Sequence, residues 1–80
     1  MENEKPLTID PKQTADRIKS DGRTPASWAR MRGVPRGTMN LIMSGKYPHV
    51  EDPFSRYQRV LRALRDDEYL VEMHEQEQAA

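Results

Sequence analysis

The sequence predicts an all-α fold, a compact bundle of about five short helices, and three observations predict it. Three times an Asp or Thr precedes proline, at Asp10-Pro11, Thr24-Pro25 and Asp52-Pro53. That pairing suits an N-cap followed by the first helical residue, where proline's missing N–H costs nothing. Apolar residues recur at helical spacing, most clearly at Phe54, Tyr57, Val60, Leu61 and Leu64. No segment alternates apolar and polar residues with the period of a strand, and no internal repeat or low-complexity tract interrupts the chain.

Gly22 and Gly33 stand where the first two helices should stop, each supplying a left-handed residue past the C-terminus, which places helix 1 at about 11–21 and helix 2 at about 25–32. A third short helix is expected between Pro35 and Gly45, with Met39, Ile42 and Met43 sharing one face. Gly37 inside it costs about 1 kcal/mol relative to alanine, which calls for a reason such as a close approach. Lys46 to Glu51 reads as a loop, and a fourth, amphipathic helix is expected from Pro53 with Arg56, Arg59, Arg62 and Arg65 on its polar face. Asp66, Asp67 and Glu68 then suit the first turn of a fifth helix, where acids complement the dipole and Tyr69, Leu70 and Met73 line one side. The resulting organisation is a flexible arm over residues 1–9, a helical domain over 10–66, and a dimerisation helix with an acidic tail over 67–80.

Eighty residues without cysteine form one small core that no disulfide or thiolate-bound zinc supplements. A partner subunit is therefore expected, and the stripe of Tyr69, Leu70 and Met73, joined by Leu61 and Leu64, is the expected homodimer contact. No apolar stretch approaches the roughly 18 residues of a membrane helix and the acidic N-terminus does not resemble a secretory signal, so a cytoplasmic protein is expected. Net charge is zero, yet residues 11–65 hold twelve Lys and Arg against four Asp and Glu, while residues 66–80 carry six acids and no Lys or Arg. A basic centre between acidic ends suits a phosphate-binding footprint, although solvated helix faces would give the same composition.

Residues 24–45 carry the most information. Ala29 lies four residues before Gly33, where a small side chain lets one helix cross closely over another; Gly33 makes the turn and Val34 fills the gap beneath it. Met39 and Ile42 bury the inner face of the third helix, and Trp28 and Met31 that of the second, so the segment reads as a helix-turn-helix. Ala29, Gly33, Val34, Met39 and Ile42, followed by Ser44-Gly45-Lys46, resemble the lambda-repressor-like family of Cro-type phage regulators over roughly residues 24–64. Pro25 and Pro35 depart from its usual phosphate-contacting glutamine and polar cap.

The resemblance implies a transcriptional regulator, a repressor of phage or prophage origin that occupies a palindromic operator in double-stranded DNA as a homodimer. The second helix of such a motif enters the major groove by its N-terminal turn. Arg36, Gly37 and Asn40 are thus expected to face bases, with Thr38 and Ser44 nearby: arginine pairs with guanine and asparagine with adenine. Arg23, Thr24, Ser27, Lys46, Tyr47 and His49 are the candidate phosphate contacts.

Other readings of the same residues are an excisionase-type recombination directionality factor and an antitoxin-like module whose acidic C-terminal segment caps a basic partner. Trp28 suits core packing better than base stacking. His49 and His74 have no ligand partner at metal-binding spacing, and no Ser-His-acid set, glycine-rich phosphate loop or paired carboxylates appears. No enzyme, cofactor, metal or small-molecule substrate is expected.

Overall fold

The computed structural model describes residues 5–73, and His74 together with the rest of the expected acidic tail lies outside the described residues. Among the described residues there are four helices and no strand: α1 (Pro11–Ser20), α2 (Pro25–Met31), α3 (Arg36–Ser44) and α4 (Arg56–Asp66). The first two proline pairs act as expected. The Asp10 carboxylate accepts from the Gln13 backbone N–H at 3.2 Å, and the bond from the Gln13 side-chain amide, together with this one, holds the Asp10 carboxyl below its usual pKa. Thr24 and Ser27 cap reciprocally, the Ser27 N–H donating to Thr24 Oγ1 and the Thr24 N–H to Ser27 Oγ, each at 3.0 Å.

The third proline pair behaves differently. Asp52 Oδ1 accepts from the Phe54 N–H at 2.9 Å, which closes a local turn, and Ser55 takes over as N-cap of α4. Asx turns compete with helix capping for the same carboxylate. Phe54 consequently lies outside the helix and is 71% exposed, while Tyr57, Val60, Leu61 and Leu64 keep the buried stripe.

Among the described residues no fifth helix forms. The three glycine-ended helices share one closure, in which the residue after the glycine donates back five positions: Arg23 to Ile18, Val34 to Ala29 and Lys46 to Leu41. At the end of α4 Tyr69 donates to the Leu64 carbonyl at 2.8 Å in the same way, with Glu68 at φ 68° in the place of glycine. The acids at 66–68 therefore finish α4, and residues 69–73 run on without helical structure.

That final segment is sewn onto the beginning of the chain. The Asp10 N–H donates to the Val71 carbonyl at 2.7 Å, the Val71 N–H donates to Thr14 Oγ1 at 3.0 Å, and the Met73 N–H donates to Thr8 Oγ1 at 3.1 Å. The buried Gln58 amide clamps Leu7 from both sides, accepting from its N–H at 2.8 Å and donating to its carbonyl at 3.0 Å. Residues 5–9 are thus part of the fold and not a loose arm, with Ile9 buried in the core.

The core joins Ile9, Ile18, Trp28, Ala29, Met39, Ile42, Tyr47, Tyr57, Val60, Leu61, Leu64 and Tyr69. Three of the residues expected at a dimer contact, Leu61, Leu64 and Tyr69, are spent inside the chain's own core. Leu70 is half-buried against the same core and Met73 alone of the five is exposed. Tyr69 also donates its hydroxyl to the Asp21 carboxylate, which raises its pKa. Met31, expected on the inner face of α2, points to solvent instead.

Candidate nucleic-acid interface

The site is built on α3, a nine-residue helix set across α1 and α2 by the turn at residues 32–35. Gly33 at φ 74° lets the chain reverse, and the following bond from Val34 to the Ala29 carbonyl, at 2.8 Å, ties the turn to α2. Pro35 occupies the N-cap of α3 without any side-chain cap, so the first N–H groups of that helix lack one. One side of α3 is packed: Thr38, Met39 and Ile42 are buried and Met43 is half-buried. The other side presents Arg36, Gly37, Asn40, Leu41 and Ser44, all exposed.

Four of the five residues expected to reach bases lie on that outer face. Thr38 does not. At 100° per residue it falls two positions from Arg36 and four before the buried Ile42, and it is 8% exposed. Leu41 holds a place on the outer face that the sequence reading overlooked. Gly37 meets nothing within 4 Å of where a Cβ would lie, so no contact within the chain requires a glycine there.

The candidate phosphate contacts separate by what their hydrogen bonds leave free. The Ser27 hydroxyl donates to the Thr24 carbonyl at 3.0 Å while accepting from the Thr24 N–H, so its proton is committed. Thr24 Oγ1 only accepts, which leaves its proton for a ligand. Ser44 likewise spends its proton on the Leu41 carbonyl at 2.8 Å and retains only acceptor capacity. Arg23, Lys46 and His49 are exposed, His49 with φ 59° in the left-handed region. Tyr47 is instead a core residue, its ring stacked on Tyr57 with centroids 5.7 Å apart, and burial raises its pKa.

Two grooves flank α3, and both carry basic side chains. The first, of about 610 Å³, separates Lys12 and Lys19 on α1 from Arg36 and Asn40 on α3, over a floor that includes Ala29 and Met39. The second, of about 350 Å³, lies between the 32–35 turn and α4, with Arg56 and Arg59 on its α4 side. Lys12, Lys19, Arg56 and Arg59 are visible in the sequence as helix charges but have no place at the site there, because helix periodicity says nothing about which helices become neighbours.

Arg32 also borders the second groove, but its charge is satisfied within the chain. It makes a two-pronged pair with Asp67, Nη2 to Oδ1 at 2.6 Å and Nε to Oδ2 at 3.1 Å. The buried Trp28 indole N–H donates to the same carboxylate at 2.8 Å. Together these hold Asp67 below its usual pKa, the Arg32 guanidinium contributing most.

Among the described residues no group of three or more His, Cys, Asp and Glu could hold a metal ion, and no helix is long and apolar enough to cross a membrane. No protein-family model, curated protein or solved structure matches the chain.

Proposed function

We propose that this protein is a sequence-specific double-stranded DNA-binding regulator, with α2 and α3 acting as a helix-turn-helix and α3 as its reading helix. The observation that carries the reading is the division of labour on α3. Its inner side is consumed by packing, while its outer side offers Arg36 and Asn40 beside a glycine, between two grooves edged with basic residues. A helix lying in the major groove needs base-reading groups at its centre and cations on both sides for the flanking phosphate strands. Arg36 then reads guanine O6 and N7 and Asn40 reads adenine N6 and N7. Lys12, Lys19, Arg23, Lys46, Arg56 and Arg59, with the Thr24 hydroxyl, supply the phosphate contacts.

The regulator acts as a repressor of the phage or prophage type by occupying a palindromic operator with two copies. Extents of 34 × 27 × 22 Å are comparable with the roughly 34 Å repeat of the double helix, which supports an arrangement of two copies on successive major grooves. The test is selection of bound duplexes from a random pool, followed by sequencing and a salt titration. Enrichment of a palindrome with half-sites one helical turn apart is expected. Recovery of unrelated sequences with salt-sensitive binding would reduce the protein to a non-specific binder, and a single unpaired half-site would remove the two-copy arrangement.

A further inference from the structure

We infer that Leu41 determines specificity by reading the 5-methyl group of a thymine on the floor of the major groove, an inference that rests on the role proposed above for α3. Leu41 lies four residues after Gly37 and three before Ser44 on the outer face, and 39% of its surface is exposed. It belongs neither to the hydrophobic core nor to the half-buried residues packed around it. A single exposed leucine is ordinary on a small domain. The neighbours of this one make it chemically specific.

Every other residue on the exposed strip either carries hydrogen-bonding groups or has no side chain: Arg36, Gly37, Asn40 and Ser44. Leu41 offers apolar surface alone. In the major groove all four bases present donors or acceptors, but only thymine presents an apolar group, its C5-methyl. One turn earlier on the same face no side chain intrudes, since nothing lies within 4 Å of a Cβ built at Gly37. The Ser44 hydroxyl, one turn later, is directed back to the helix through its bond to the Leu41 carbonyl. Asn40 pairing with adenine brings the complementary thymine to the same base-pair edge, so one A·T pair serves both adjacent residues.

The experiment starts from the half-site enriched by the full 80-residue chain and replaces each thymine in turn by deoxyuridine, which removes only the methyl group. Fluorescence anisotropy then compares wild-type protein, Leu41→Ala and Leu41→Met on each duplex. One position is expected at which losing the methyl weakens wild-type binding about fourfold, equivalent to ~0.8 kcal/mol for one buried methyl at about 1.4 kcal/mol per decade. At that position Leu41→Ala should bind both duplexes equally and Leu41→Met should keep the preference. A wild-type protein indifferent to every methyl, or a preference that survives in Leu41→Ala, overturns the inference while leaving sequence-specific binding intact. Failure to enrich any sequence overturns the role of α3 itself, and the inference with it.

Discussion

Arg36 and Asn40 are available to a ligand because other residues of α3 do the packing. Met39 and Ile42 face inward, and no ion pair engages either polar side chain among the described residues. Replacing Arg36 by alanine should weaken binding to the selected site by about 1–3 kcal/mol while leaving binding to random DNA nearly unchanged. Competition assays on both DNAs check this, and equal losses would assign Arg36 to phosphate. Trp28 and Asp67 form the opposite kind of residue pair, wholly structural. With Trp28 completely buried, Asp67→Ala leaves its indole N–H without an acceptor and should cost about 1–3 kcal/mol in urea unfolding. Asp67→Asn keeps an acceptor oxygen and should cost less.

Helix ends explain both what was legible in the sequence and what was not. Asp10-Pro11 and Thr24-Pro25 announce α1 and α2 because cap and first residue are adjacent and the chemistry is local. Asp52-Pro53 looks identical but spends its carboxylate on Phe54, an outcome that depends on Ser55 being able to cap α4 three residues later. The end of α4 looks in the sequence like the start of another helix because the left-handed residue there is Glu68 and not glycine. A non-glycine residue in that conformation costs roughly 1–2 kcal/mol, partly offset by the roughly 0.5–1 kcal/mol that glycine loses in chain entropy. Glu68→Gly should therefore raise stability by about 0.5–1 kcal/mol in thermal or urea unfolding, with DNA binding unchanged. A destabilised variant would show that the strain at Glu68 is compensated elsewhere.

Across the whole molecule, a net charge of zero conceals an arrangement that only the packing reveals. Lys12 and Lys19 come from one helix and Arg56 and Arg59 from another, and α3 lies between them. Removing Lys12 and Lys19 together should lower the slope of log affinity against log salt by about two, since each phosphate contact contributes about 0.9. An unchanged slope would move the first groove out of the interface. Acid stability is a second property of the whole fold. Asp10 and Asp67 both have folded pKa values below the ordinary 3.8. Their contribution to stability is complete above that value and is lost as pH falls from about 4 through their folded pKa values. Stability should therefore drop on acidification below about pH 4, less steeply in Asp67→Asn. Urea unfolding at stepped pH measures the difference between the two slopes.

The all-α class, the limits of α1, α2 and α3 to within a residue, and the burial of Trp28, Ala29, Met39 and Ile42 are legible in the sequence. Each of these follows from caps, turns and periodicity, which act over a few residues. The use of the surplus apolar residues depends on long-range packing. Leu61 and Leu64, readable as part of the stripe of α4 or of a dimer contact, and Tyr69 all join the chain's own core, which its first and last segments close through Thr8, Asp10, Thr14 and Gln58. Those bonds join positions up to 65 apart in sequence, beyond the reach of any local pattern. The same long-range packing decided the candidate interface, turning Thr38 inward, leaving Leu41 outward, and bringing the lysines of α1 beside α3.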